Sequence, residues 1–283
     1  MGQYFKFVNF DKKEMISPYD YDNVAKVMEH SYQGNKFLAA AEKLIKTDWA
    51  GDRVLYLGDY VDEYYNEPKM KEVLSQLVKE VRKEKLFEKK PKENLYFVKF
   101  KEIKIPISQN DLIPSRFIYN DKTQEYIDLK KQTIQWAGCD KGEIYGIKIH
   151  PLSIMLCASN GSGGSYYGKN MELVGNWVNS LGSIGFSDSA PNDYKELMAV
   201  FDETNTVKSN KEILKDAIDE AVLKHNLKDV NKLSFDKSLF LDDTEKKELK
   251  NYAKESIDKN NKLNHSVTND KDLEKDIVDD MFE

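Results

Sequence analysis

An apolar run breaks into Gly58-Asp59-Tyr60-Val61-Asp62 in the stretch LYLGDYVDEYY, residues 55–65. A carboxylate at the end of a strand can bridge two metal ions, which would activate a water for phosphate hydrolysis. Such a centre needs further ligands, normally an Asp-x-His upstream and a Gly-Asn-His-Glu downstream. Neither occurs here. His30 lies in MEHSY, on an expected helix, and His150 lies in an Ile-His-Pro turn. Glu63 also stands where an arginine should follow Asp62. The motif resembles the GDxVDR signature of metallophosphoesterases over about eight residues, and the missing ligands reduce it to a strand-terminating turn.

A second stretch, GGSYYGKN at 163–170, follows an apolar segment and precedes a helix-like one. It is one residue short of a P-loop, whose backbone N–H groups cradle phosphates while its Lys and Ser or Thr hold charge and magnesium. Asn170 occupies the magnesium-binding position, and Tyr166 and Tyr167 crowd a loop that normally approaches phosphate as bare backbone. LMAVFDE at 197–203 imitates a Walker B strand, but its apolar spacing suits a helix. A plain anion site using N–H groups and Lys169 remains open to the loop. The candidate ligand set is therefore Asp52, Asp59, Asn160, Gly161, Gly163, Gly164 and Lys169. Against it stands a glycine-rich turn needing only positive φ.

The other reactive residue types are sparse. Cys139 and Cys157 are too few for a disulfide framework or a thiolate zinc site, and neither has a His partner in sequence. The four histidines show no ligand spacing. Asp52, Asp59 and Asp62 could supply a glycosidase pair, but nothing selects them among many acids. Neither catalytic residues, a metal nor a cofactor is expected. Trp49, Trp136 and Trp177 read as packing anchors, or as interface residues if left exposed.

The elements that would position these residues follow from pattern. YFKFVNFDKKEMIS (4–17) alternates around a polar turn and predicts a β-hairpin. Helices are expected at 22–33 and 35–46, separated at Gly34, with Leu38, Ala41, Leu44 and Ile45 as an apolar stripe. A turn and strand follow at 48–59, a basic amphipathic helix at 67–87, and a strand at 94–107. SRFIYNDKTQEYIDL (115–129) repeats the first hairpin. Each hairpin is followed by Trp-Ala-Gly, at 49–51 and 136–138, and then a strand, VLYLGD or EIYGIKIHP. This predicts a duplicated hairpin–WAG–strand unit. SIMLCA reads as a buried strand, and MELVGNWVNSL as a helix. Beyond residue 208 there is no Gly or Pro, and helices are expected near 210–225 and 243–258. The fold expected is α+β, mainly antiparallel, with residues 1–204 as a core and 205–283 as a charged helical region ending in an acidic tail.

Charge and composition limit the partners. The chain of 283 residues is 40 % hydrophobic and 33 % charged, with net charge −6. From Asp202 onward there are 21 acids and 15 bases, so the first 201 residues are balanced. Residues 270–283 hold seven acids and two lysines. Phosphate backbones would be repelled by such a tail, so nucleic acid is not an expected partner. A basic protein surface is, with Asp272, Glu274, Asp276, Asp279 and Asp280 as contacts. A homo-oligomer is also compatible with the pattern. No apolar run is long enough to span a membrane, and the opening MGQYFK lacks both a leader and a complete myristoylation signal, since Lys6 stands in place of Ser or Thr. The expectation is a cytoplasmic protein outside the membrane.

The opening MGQYFKFVNFDKKE, with WAGDRVLYLGDY and IHPLSIMLCASNGSGGSYYG, resembles a family of phage and bacterial proteins. Its members begin MGQYxKxVNxDKxE and carry a WAGDR-strand-GDY segment and an IHPL…GNGxGG loop. The match spans about residues 1–180. Ser162 and Ser165 stand where many relatives carry Arg and Asp. The family has no established activity, so no catalytic residue is carried over. Its distribution implies an accessory protein that binds and inhibits a host protein, such as a defence nuclease complex, in the host cytoplasm. A small-molecule enzyme or sensor using the loop 160–168 is the competing expectation.

Overall fold

The computed structural model describes residues 4–23, 30–88, 93–159, 173–197, 208–224 and 227–279, without the side chains of Tyr64, Gln135 and 263–279. Contacts group the chain into two compact units. Unit 1 is 1–135 with 147–207, and unit 2 is 136–146 with 208–283. The class is α+β, with mixed rather than purely antiparallel sheets.

Unit 1 starts with the expected hairpin, β1 Phe5–Asn9 and β2 Glu14–Ile16. Asn9 Oδ1 accepts from Asp11 N and Lys12 N, both at 3.0 Å, and Lys13 takes a left-handed φ of 56° to close the turn. Strand β3, Val54–Gly58, lies antiparallel to β1. Strand β4, Lys101–Glu102, lies parallel to β2 with Glu14 opposite Lys101.

The second hairpin repeats this arrangement atom for atom at the turn. It comprises β5 Phe117–Asn120 and β6 Glu125–Asp128. Asn120 Oδ1 accepts from Lys122 N and Thr123 N at 3.0 and 3.2 Å, and Gln124 takes φ 54°. Asn120 pairs with Glu125 as Asn9 pairs with Glu14. An antiparallel strand, Ile184–Ser187, flanks β5, and a parallel one, Lys195–Glu196, flanks β6 with Lys195 opposite Glu125. The sheet orders correspond strand for strand, apart from one extra strand beside β3.

A duplicated unit is thus present, but its second tryptophan differs from the expected one. Trp49 and Trp177 are both fully buried ahead of the third strand of their copies. The second Trp-Ala-Gly instead lies inside a strand, β7 Ile134–Asp140, with Trp136 49 % exposed. The glycine of each copy has φ near +80° (Gly51 79°, Gly182 81°), which an L side chain resists. A Cβ on Gly182 would lie 2.6 Å from Gly51 O, so the two turns touch backbone to backbone.

The first well-formed helix, α1 Lys36–Lys46, is capped by Asn35, whose side chain accepts from Phe37 N at 2.8 Å. Helix α2, Lys71–Lys83, buries Leu74, Leu77, Val78 and Val81 against Val8, Leu55 and Leu57. It is shorter than the expected 67–87 because Lys85 turns left-handed at φ 58°. Half of the helix expected at 22–33 falls on 24–29, outside the described residues. Its flanks are a 3-10 turn, Pro18–Tyr21, and an extended Tyr32 bridged to Ile149.

Three other expectations are corrected. Residues 94–107 hold a 3-10 turn, Leu95–Phe97, and only the two-residue β4, because Asn94 caps the turn by accepting from Tyr96 N. SIMLCA divides into a one-turn helix, α3 Leu152–Met155, and the short β9, Cys157–Ala158, which pairs parallel with β3. The described part of MELVGNWVNSL is turns and a 3-10 segment, Val178–Ser180, broken by Gly175 at φ 70°. The turn-rich segment after it contains the strand Ile184–Ser187, labelled β10, and Lys195–Glu196 is β11.

Unit 2 contains the tip of the hairpin formed by β7 and β8, Glu143–Lys148, turned through Lys141 and Gly142, both at positive φ. Its third strand, β12 Ser234–Phe235, runs parallel to β8 with Phe235 opposite Ile144. Helix α4, Asn210–Lys224, and helix α5, Asp243–Asp279, pack together. They bury Leu214, Ala217, Ile218 and Ala221 with Leu249, Ala253 and Ile257. Asp219 accepts from Tyr252 Oη and Ser256 Oγ, each at 2.6 Å. Helix α5 runs well past the expected end at 258. Among the described residues no helix is long and apolar enough to cross a membrane.

Candidate functional site

Strand β3 is buried along its whole length, Gly58 included, and Asp59 emerges from the core just past its carboxyl end. Strand β9 lies alongside with Leu57 opposite Ala158. A Cβ on Gly58 would stand 2.8 Å from Ser159 Oγ and 2.9 Å from the Phe5 ring, so this approach requires glycine. The carboxyl ends of two parallel strands meet here, a common place for ligands in sheets of this kind. Asp59 follows one strand, and the glycine-rich loop follows the other.

The surroundings of Asp59 are polar and aromatic. Tyr4 N donates to Asp59 Oδ1 at 3.2 Å, and Asp59 N donates to Tyr4 O at 3.0 Å. Asn94 Nδ2 donates both to Asp59 O at 2.7 Å and to Asp62 Oδ1 at 2.8 Å, fixing the two acidic positions to one amide. Burial pushes the Asp59 carboxyl above its ordinary value, the Tyr4 amide opposing and the Asp62 charge adding. The Tyr96 hydroxyl is also pushed up, first by burial and then by Asp59 and neighbouring tyrosines and acids, so it stays protonated. Lys6 Nζ lies 4.5 Å from the centre of the Tyr96 ring, a cation–π contact. Tyr4 and Tyr19 are exposed. The rim offers hydrogen bonds, the two carboxylates of Asp59 and Asp62, and aromatic faces.

Of the sequence-selected ligand residues, Asp59 alone is placed here. Asp52 lies at the opposite end of β3, roughly 20 Å away along an extended strand. There it accepts from Asn9 Nδ2 at 2.8 Å. Asn160, Gly161, Gly163, Gly164 and Lys169 lie outside the described residues, as does most of 197–203. Asp272, Glu274, Asp276 and Asp279 fall on the last turns of α5, and Asp280 lies outside the described residues.

His150 does not approach Asp59 and Asp62 as a ligand. It is buried beside Glu42 of α1, with Nε2 at 3.4 Å from Glu42 Oε2. Leu152 N donates to His150 Nδ1 at 3.2 Å, which assigns the proton to Nε2 and makes it the donor to the carboxylate. Glu42 Oε1 also accepts from Lys46 Nζ and Ser115 N, each at 2.8 Å. Burial alone would raise the Glu42 carboxyl, but His150 and Lys46 outweigh it and hold the group below the ordinary range. Residues 108 positions apart meet here, and no local spacing signals the pairing. The same holds for His30, whose Nε2 lies 2.5 Å from the buried Tyr56 Oη.

Among the described residues no three His, Cys, Asp or Glu gather to hold a metal ion. Burial pushes the Cys139 thiol up, the Gly142 amide opposing and Asp140 adding, so it is a poor nucleophile.

No family model matches the chain, and neither a curated protein nor a solved structure matches it. The resemblance of the opening segments therefore rests on the quoted motifs alone.

Proposed function

We propose that this chain acts by binding another protein rather than by catalysis. In this reading it is an accessory protein of a phage or mobile element that docks on a basic surface of a host protein in the cytoplasm and inhibits it. A defence nuclease complex is the class of partner that suits it, because nuclease surfaces are basic where DNA lies. The observation that carries the reading is the charge of residues 270–283, seven acids against two lysines, at the end of the long helix α5. Such a segment accelerates encounter with a basic surface and competes there with DNA. Supporting it, the buried acids of unit 1 among the described residues are engaged in structural bonds: Glu42 with His150 and Lys46, and Asp128 with Arg116.

The test is affinity capture from host cells with the intact chain and with a variant carrying Asp272, Glu274, Asp276 and Asp279 as Asn or Gln. The eluted partner is then assayed for DNA cleavage with added chain. One stoichiometric partner, inhibited by the chain and lost with the neutralised tail, is expected. Equal recovery with both chains removes the tail from the reading, and an uninhibited partner removes inhibition.

A second reading follows from Gly58, Asp59 and Ser159 at the joined ends of β3 and β9, where a small phosphate- or nucleotide-containing ligand would meet the loop 160–168. Thermal denaturation with nucleotides and divalent ions tests it. A ligand at about a hundred times its dissociation constant adds about 2.7 kcal/mol, and no shift with any of them discards this site.

A further inference from the structure

Within unit 2, the start of α5 and strand β12 enclose an open groove of about 590 Å³ whose lining includes Leu233, Phe235, Lys246, Lys247 and Lys250, with Asp243 as its one acid. Its floor is partly apolar and its wall is basic. Lys246 faces Asp243 only at 3.9 Å, while Lys247 and Lys250 pair with no carboxylate among the described residues. The same helix ends in the most acidic segment of the chain, which also carries Ile277, Val278, Met281 and Phe282. That segment has the charge and the apolar residues that the groove lacks a partner for.

It cannot reach the groove of its own copy. Helix α5 runs unbroken through 37 residues. At ~1.5 Å per residue its two ends stand about 55 Å apart, so the acids on its last turns, Asp272 to Asp279, lie far from the groove at its start. Helix α4, with 15 residues, covers at most about 22 Å of it. A second copy running the opposite way solves both problems at once.

We propose that two copies of this chain pair through antiparallel α5 helices, the acidic end of each lying in the lysine-lined groove of the other. The arrangement is isologous and closes on itself, since each groove receives one tail and each tail fills one groove. Opposing Lys246–Lys250 to the acids around residues 276–280 makes the helices cross near residue 263, about the middle of α5. The inference uses the tail differently from the host-partner reading and does not depend on it.

The test is sedimentation of the full chain over a concentration series, with helicity followed by circular dichroism. A reversible dimer is expected, weakened when salt rises from about 0.05 to about 0.5 M. K246E/K247E/K250E, and separately D272K/E274K/D276K/D279K, should each raise the dimer dissociation constant at least about tenfold while leaving the fold intact. Combining the two sets should restore the dimer, a result that a folding defect would not give. A monomer at every concentration overturns the proposal, and so does a dimer indifferent to the lysine reversal. So does a monomer whose groove lysines bind a fluorescent DNA duplex, for the groove would then serve phosphate. A wild-type chain that stays monomeric yet still captures a host protein would sink this inference alone.

Discussion

The indole N–H of Trp177 donates to Glu125 Oε2 at 3.0 Å, the same contact at the same distance that Trp49 makes with Glu14. In each copy the carboxylate belongs to the first residue of the hairpin's second strand. The tryptophan is delivered by the segment that leads into the third strand. A buried indole needs an acceptor, and the hairpin supplies one.

Trp177→Ala should destabilise unit 1 by about 3–5 kcal/mol, and Trp49→Ala by a similar amount, because each leaves a large cavity and an unmet carboxylate. Trp136→Ala, at a half-exposed position, should cost under about 1.5 kcal/mol. Urea denaturation of the three variants checks the ranking. Equal costs for Trp136 and Trp177 would contradict the assignment of the repeat.

Gly51→Ala and Gly182→Ala separate backbone strain from collision. Both glycines have φ near +80°, but only Gly182 has a neighbour, Gly51 O, within reach of an added Cβ. Gly51→Ala should cost about 1 kcal/mol from conformation alone, and Gly182→Ala about 2 kcal/mol more. Denaturation midpoints compare them directly.

Glu42→Gln should cost on the order of 3 kcal/mol at neutral pH, because it leaves Lys46 and His150 facing a neutral amide. Since the folded Glu42 carboxyl is held below its ordinary value, its contribution is full above the unfolded pKa and declines as pH falls through the folded one. The gap between wild type and Glu42→Gln should therefore narrow as the medium is acidified below about pH 4.5. A stability series against pH for the two proteins measures it. A gap that widens in acid would be inconsistent with this network.

Cys139 should alkylate more slowly than a free cysteine at pH 8, its thiol being raised, and Cys157, fully buried, should react only on unfolding. Timed iodoacetamide labelling with mass measurement reads both rates. Rapid labelling of Cys139 would restore it as a nucleophile.

Local pattern made the hairpins legible, because Asn-x-Asp-Lys and Asn-Asp-Lys turns and alternating apolar residues act within ten positions. The apolar stripes of α1 and α2 were legible for the same reason. The second tryptophan was misread because Trp-Ala-Gly recurs in letters while the equivalent Trp177 lies in a different surrounding sequence. SIMLCA is apolar enough for strand or helix, and only its register beside β3 divides it. At the candidate site, Gly58 and Asp59 announced a strand end, but pairing with β9 decides what they face. Asp52 shares a motif with Asp59 in sequence, yet a straight strand holds the two apart. Glu42 and His150 could not be paired by any local rule.

The division of the chain has a consequence for its synthesis. The hairpin tip 136–146 groups with residues 208–283, and its strand β8 is flanked by Ser234–Phe235. Roughly 90 residues must leave the ribosome between the two, on the order of 5–20 s at ~5–20 residues per second. Throughout that interval the nascent hairpin, with Trp136 and Tyr145 on it, waits without its flanking strand, and a chaperone has time to find it.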